Sequence, residues 1–291
     1  MKPQTSGVDY SKIDPLKKLA QSLAKTTALN SDIKIVAESW GESAFVWEEE
    51  DCYRAFVIEG LGTKNLIADE IRHLTNRTYY DALAQDTVAM IVNDLIVVGA
   101  KPQVINAYFA AGSSDWFADE QRAKDLAEGW AESCKMAGAV WGGGESPSLA
   151  GIINPQTADL AGSAIGIIKP KEKLILGEGL KAGDAILLIE SSGIHSNGLT
   201  LARTIAKDLK EGYATKLSDS TSFGENLLTP TFIYVNLVED LFDSGVDVHY
   251  MVNITGHGWR KLMRADKNFL KICIRYSFWS RIREKSMSSS S

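Results

Sequence analysis

Four short stretches hold most of the side chains with chemistry to offer. The first is Glu59-Gly60-Leu61-Gly62-Thr63-Lys64. Glycines let backbone N–H groups approach a phosphate, a lysine adds a point charge, and a carboxylate can hold Mg²⁺. The spacing is neither the P-loop pattern nor GxGxxG, and such a turn also occurs with no ligand at all. The second is Asn93-Asp94 inside an otherwise apolar run, where an ionised carboxylate costs several kcal/mol, of the order expected for a buried charge, unless it is paired or metal-bound. A structural hydrogen-bond network would satisfy it equally well. The third, Gly142-Gly143-Gly144-Glu145-Ser146, again leads flexible backbone to a carboxylate and a hydroxyl. Glu59, Asp94 and Glu145 together are the hard oxygen donors that Mg²⁺ bridging the phosphates of ATP requires. The fourth, Ser191-Ser192-Gly193-Ile194-His195-Ser196-Asn197-Gly198, offers hydroxyls, an imidazole and an amide ahead of a helix N-terminus, which suits an anion. A simply capped loop reads the same way. His195 has the pKa range of a general base, but the four histidines form no Ser/His/Asp or Cys/His set.

These stretches need elements to hold them. Residues 55–59 read as a strand running into the first glycine turn, and residues 86–98 as a buried helix stopped by Gly99 and Pro102. A strand at 104–110, an amphipathic helix at 118–138 and a small-residue strand at 157–168 follow. An earlier helix, 14–28, starts with Asp14 as cap and Pro15 in its first turn. Lys169-Pro170-Lys171-Glu172-Lys173 is the best domain boundary. Beyond it, 185–189 reads as a strand and 199–210 as a helix. Thr229-Pro230 opens another helix to Asp243, and 248–252 is a last strand. The expected division is an arm and helix at 1–30, a first α/β domain at 31–168, a second at 169–268 and an unpatterned tail at 269–291.

Composition narrows the function classes. The 291 residues suffice for about two domains, and 45% hydrophobic with 23% charged residues is an ordinary globular balance. Thirty-one basic against 37 acidic residues give a net charge of -6, which argues against nucleic-acid binding. No apolar run is long enough for a membrane span, and the start has no export signal. Cys52, Cys134 and Cys273 show neither CxxC nor zinc-finger spacing, so a reduced cytoplasmic setting is expected.

Taken together and in order, these motifs, with Asp86-Thr-Val-Ala-Met-Ile-Val-Asn-Asp94-Leu, Asp159-Leu-Ala-Gly162 and Leu228-Thr-Pro-Thr-Phe-Ile-Tyr-Val235, resemble the phosphoribosylformylglycinamidine cyclo-ligase family over roughly residues 6–264. The resemblance implies a two-domain α/β (α+β) aminoimidazole ribonucleotide synthetase-like fold whose N-terminal sheet pairs in a homodimer. It implies ATP and Mg²⁺ as cofactors and formylglycinamidine ribonucleotide as substrate, phosphorylated on its formyl oxygen before the amidine nitrogen closes the ring in purine biosynthesis. Carried over by position, Lys64, Asp94 and His195 are the catalytic candidates. Gly60, Gly62, Thr63, Lys64, Asp86, Asn93, Gly143 and Gly144 would bind ATP, and Glu59, Asp94 and Glu145 the metal. Ser192, His195, Ser196 and Asn197 would face the ribonucleotide, and an arm around Gly7, Val8, Asp9 and Tyr10 would close over ATP.

The sequence departs from that pattern at Glu59 and Asn106, where the family usually has Asp, at Ser146 in place of Thr, and at Gly256-His257-Gly258 in place of three glycines. The tail after Arg264 replaces strands and helices of the second domain, so that domain is expected to be incomplete, as in a truncated or frame-shifted member. The alternatives are another ATP-using superfamily member of the thiamine phosphate kinase type, or a non-catalytic truncated relative that binds nucleotide or a partner.

Overall fold

A computed structural model describes residues 9–265. The arm residues Gly7 and Val8, Cys273 and the tail 269–291 lie outside the described residues. The helices are α1 (Tyr10–Thr27), α2 (Asn65–Thr75), α3 (Tyr80–Ile96), α4 (Glu120–Met136), α5 (Leu199–Asp208), α6 (Phe223–Leu227) and α7 (Val235–Asp243). The strands are β1 (Lys34–Ile35), β2 (Phe45–Glu48), β3 (Tyr53–Gly60), β4 (Lys101–Ala111), β5 (Val140–Glu145) and β6 (Ala158–Ile168). They form one mixed sheet in the order β1-β2-β3-β6-β4-β5, antiparallel except for the parallel β4–β5 pair.

Side chains alternate across a strand, so register decides which residues share a face. Glu59 pairs with Gly162, Gly162 with Ala107 and Ala107 with Gly144, a row on the face that the helices cover. A Cβ on Gly162 would sit 2.8 Å from Ile91 Cδ1, so this glycine lets α3 lie close against the sheet. On the opposite face Phe56, Ile165, Val104 and Val140 form an apolar row across four strands, and all four are exposed.

Helix α3 is the centre of the molecule. Apart from Asp81 and Gln85 all of its residues are buried, including Asp86, Asn93 and Asp94. An apolar helix of this kind is stable only when covered on every side. The sheet and α4 cover two sides, and a segment from the second half of the chain covers a third.

That segment corrects one sequence expectation. Thr229-Pro230 has the signature of a helix start, yet α7 begins at Val235. Residues 229–232 instead give their carbonyls to side chains. Thr229 accepts from Lys64 Nζ at 2.8 Å, Pro230 from Ser192 Oγ at 2.6 Å, Thr231 from Gln85 Nε2 at 2.9 Å and Phe232 from Asn93 Nδ2 at 2.8 Å. The Thr231 and Tyr234 amides donate to Asp86 Oδ1 and Asn93 Oδ1. Groups so engaged cannot enter a helical ladder. Asp86 and Asn93 stand two helical turns apart, about 10.5 Å of rise, and Thr231 to Tyr234 spans about 10 Å when extended, so the strap matches the helix.

The expected strands at 185–189 and 248–252 are not formed. Both have strand composition, but a strand exists only with a hydrogen-bonded neighbour, and neither finds one among the described residues. Ile186, Leu187, Leu188 and Ile189 are exposed as a result. Helix α1 starts at Tyr10, ahead of the expected cap Asp14: Asp9 is its cap, accepting from the Ser11 amide, Pro15 lies inside the helix, and none of its residues is buried.

Candidate active site

A cavity of about 380 Å³ opens where β3, α3 and the turn after residue 255 meet. Glu59 reaches it from the end of β3 and Asp94 from the last turn of α3, while Asn197, Gly256 and His257 come from the second half of the chain. Tyr10 and Lys17 of α1 close one side, and Lys261 and Arg264 another. The Tyr10 hydroxyl donates to the Gly256 carbonyl and its ring lies 4.3 Å from that of His257. Asp94 is almost fully buried. Its Oδ1 accepts from Asn253 Nδ2 at 2.6 Å, and its Oδ2 lies 3.4 Å from Lys261 Nζ. Burial, reinforced by the charge of Asp94, holds the Glu59 carboxyl above its ordinary range, while burial lowers Lys261.

Two carboxylates at one cavity suit Mg²⁺, which binds through one or two carboxylates plus waters and phosphates. The third expected ligand is not with them. Glu145 pairs in register with Tyr108, one residue past the row of Glu59, and so lies on the opposite face. It stands three strand spacings away, about 14 Å. Among the described residues no group of three or more His, Cys, Asp or Glu is gathered to hold a metal. Asn106 pairs with Ser163, which pairs with Ile58, so it too lies on the open face and not beside Glu59.

Lys64, expected at phosphate, lies in a buried pair with Asp86. Its side chain is fully buried, with Nζ 2.7 Å from Asp86 Oδ2 and donating to the Thr229 carbonyl. Burial lowers its pKa against the opposing pull of Asp86. Asp86 and Asn93, expected at ATP, likewise spend their hydrogen-bonding groups on the strap. Gly60 ends β3, and Gly62 and Thr63 lie in the turn between β3 and α2, where Gly62 adopts a φ of +76 that favours glycine. Gly143 and Gly144 lie in the exposed edge strand β5, and a Cβ on Gly144 would come within 2.1 Å of the Ala107 carbonyl oxygen.

The expected substrate loop is divided. Asn197 faces the cavity, and its amide donates to Met90 Sδ at 3.6 Å. Ser192 and His195 turn toward the strap. The Ser192 amide donates to His195 Nε2 at 3.1 Å, so that nitrogen is the acceptor and a neutral ring carries its proton on Nδ1. Burial, followed by the nearby Lys64 charge, lowers the His195 pKa and favours the neutral form. Ser196 Oγ is buried without a hydrogen-bond partner among the described residues. Lys17, Asn253, Lys261 and Arg264 escaped sequence reasoning. Lys261 carried the best available signal, since it follows a Gly-His-Gly turn, but nothing local tied it to Asp94, 167 residues away.

Known proteins show the family. Residues 41–168 match the model of the AIR synthase related protein N-terminal domain, and residues 181–263 that of its C-terminal domain. The chain is 36% identical over 262 residues to phosphoribosylformylglycinamidine cyclo-ligase of Carboxydothermus hydrogenoformans, covering 88% of this chain and 72% of that one. It is 37% identical to the protein of that name from Methanothermobacter thermautotrophicus, covering 90% and 74%. The corresponding Thermococcus kodakarensis protein is 38% identical, with coverage of 89% and 73%. A solved HypE-HypF complex aligns with a TM-score of 0.53 at 16% identity, covering 88% of this chain and 77% of that one, a likeness of fold alone. With the ordered motifs, the mixed α/β architecture and these relatives in agreement, the chain belongs to the phosphoribosylformylglycinamidine cyclo-ligase family.

Proposed function

We propose that the chain catalyses the ATP-dependent cyclisation of formylglycinamidine ribonucleotide to aminoimidazole ribonucleotide. The observation that carries this reading is the cavity itself, with Glu59 and Asp94 beside Lys17, His257, Lys261 and Arg264. Phosphoryl transfer needs charge neutralisation and positioning more than a covalent nucleophile. In the reaction the formyl oxygen bonds to the γ-phosphorus as the bond to ADP breaks. The amidine nitrogen then attacks the activated carbon, and phosphate leaves with the former formyl oxygen. Mg²⁺ held by Glu59 and Asp94 would offset the charge on the phosphate oxygens. Lys17 and Arg264 supply fixed positive charge at the cavity wall, and Asn197 presents an amide to the ribonucleotide. His195, neutral and held by the Ser192 amide, orders the loop that carries Asn197.

Support for a homodimer comes from the open sheet face. Exposed apolar residues in register across four strands, Phe56, Ile165, Val104 and Val140, suit the same face of a second copy. Glu145 and Asn106 lie on this face too. No helix of the described residues is long and apolar enough to cross a membrane. Cys52 and Cys134 are buried and unpaired, which fits a cytoplasmic setting.

The test is ADP formation by the purified chain with Mg²⁺ATP, with and without formylglycinamidine ribonucleotide. Substrate-dependent ADP with an imidazole product is expected. A folded sample that forms neither overturns the reading.

A further inference from the structure

Lys261 is the one lysine among the described residues whose ammonium faces Asp94 within the cavity. Both side chains are almost fully buried, at 5% and 3% exposure, so neither charge is relieved by solvent. The separation of 3.4 Å is longer than a tight charge-assisted hydrogen bond. Asp94 Oδ1 is already taken by Asn253, which leaves Oδ2 as the oxygen turned toward the cation. The field of Lys261 also falls on Glu59. The ammonium therefore meets Asp94 through a flexible four-carbon stem, in the cavity that Glu59 also lines.

That is the electrostatic work a divalent ion would perform at the same oxygens. A metal binds a carboxylate oxygen at about 2.0–2.1 Å for Mg²⁺, and it cannot approach Asp94 Oδ2 while an ammonium stands against that oxygen. Like charges this close in a dry cavity repel strongly. We propose that Lys261 is a resident counter-cation for Asp94, and that its ammonium and a divalent metal are mutually exclusive occupants of this position. The inference rests on the assignment of Glu59 and Asp94 as the metal-binding pair and deepens it. Lys261 acts here as a positioning residue that holds Asp94 Oδ2 until the metal takes its place.

A merely structural ion pair makes a different prediction from a competitor. Both lose thermal stability in metal-free buffer on Lys261→Met, but only a competitor binds metal more tightly once removed. The experiment is a Mn²⁺ titration of the nucleotide-free chain, read as loss of the free-ion electron paramagnetic resonance signal, with thermal unfolding in EDTA alongside. Lys261→Met should lower the Mn²⁺ Kd at least tenfold, Lys261→Arg should leave it near the wild-type value, and Asp94→Asn should abolish binding. If Lys261→Met does not fold, Lys261→Gln keeps a polar side chain and removes the charge, and the same shift is expected. An unchanged or weaker Kd without the ammonium, or no Mn²⁺ binding by any form, overturns the proposal. Turnover of Mg²⁺ATP by wild type together with an unchanged Kd would refute the counter-cation and leave the cyclo-ligase reading intact. A tightened Kd with no ADP formed would refute that reading and leave the counter-cation standing.

Discussion

Lys64 and Asp86 face each other at 2.7 Å with both side chains wholly out of contact with solvent. Asp86 Oδ1 meanwhile holds the amide and hydroxyl of Thr231, so the pair joins the start of α2, the middle of α3 and the strap. Removing one member of a buried pair strands the other charge, which costs about 3–5 kcal/mol. Asp86→Ala should fall in that range by urea denaturation, because Lys64 then keeps only the Thr229 carbonyl. Lys64→Met should cost less, since Asp86 retains its Thr231 donors. A Lys64→Met/Asp86→Leu double variant should recover part of the loss.

Asn93 and Asp94 are neighbours with separable roles. Asn93→Leu leaves the Phe232 carbonyl and the Tyr234 amide unpaired, and should destabilise the chain by about 1–3 kcal/mol. Asp94→Asn strands the Lys261 ammonium and should also cost stability, but unlike Asn93→Leu it should abolish ADP formation by the protein that remains folded. Unfolding midpoints and turnover measured on both variants check this division. Equal effects of the two on both readouts would contradict it.

His249 sits between two carboxylates, 2.7 Å from Asp184 Oδ2 and 2.9 Å from Asp247 Oδ2. Those hydrogen bonds raise its pKa above the ordinary value of 6.5. A raised value means the folded chain holds the proton more tightly than the unfolded one. The contribution to stability is therefore full below 6.5 and is lost as pH rises through the folded value. The melting temperature should decline over that window in wild type, and His249→Gln should flatten the decline.

The open sheet face predicts its own disruption. Val104→Asp places a charge in the middle of the apolar row, and should convert dimers to monomers in size-exclusion light scattering while the far-ultraviolet dichroism is unchanged. A dimer that survives this change would put the interface elsewhere.

Much of the first half was readable from the chain. The apolar run around Asp86 to Asp94, the glycine turn after β3 and the small-residue strand β6 follow from local pattern and formed, although α3 starts at Tyr80, six residues ahead of the expected helix. The errors came from groups satisfied at long range. Thr229-Pro230 looks like a helix start because its competitors for hydrogen bonds, Lys64, Gln85 and Asn93, lie more than 130 residues away. Residues 185–189 and 248–252 have strand composition without a ladder partner. The metal candidates were legible as carboxylates beside glycines, but the face each one occupies depends on sheet register. Register set Glu59 against α3 and turned Glu145 the other way.

The match between α3 and its strap has a genetic consequence. Inserting one codon between Asp86 and Asn93 would rotate everything downstream by about 100° around the helix axis. Asn93 would leave the strap and Asp94 would leave the cavity together. Point changes along this stretch should be graded in effect, whereas single-codon insertions and deletions should be uniformly null, so a deep insertion scan of α3 would read as a sharp blank bounded by these two residues.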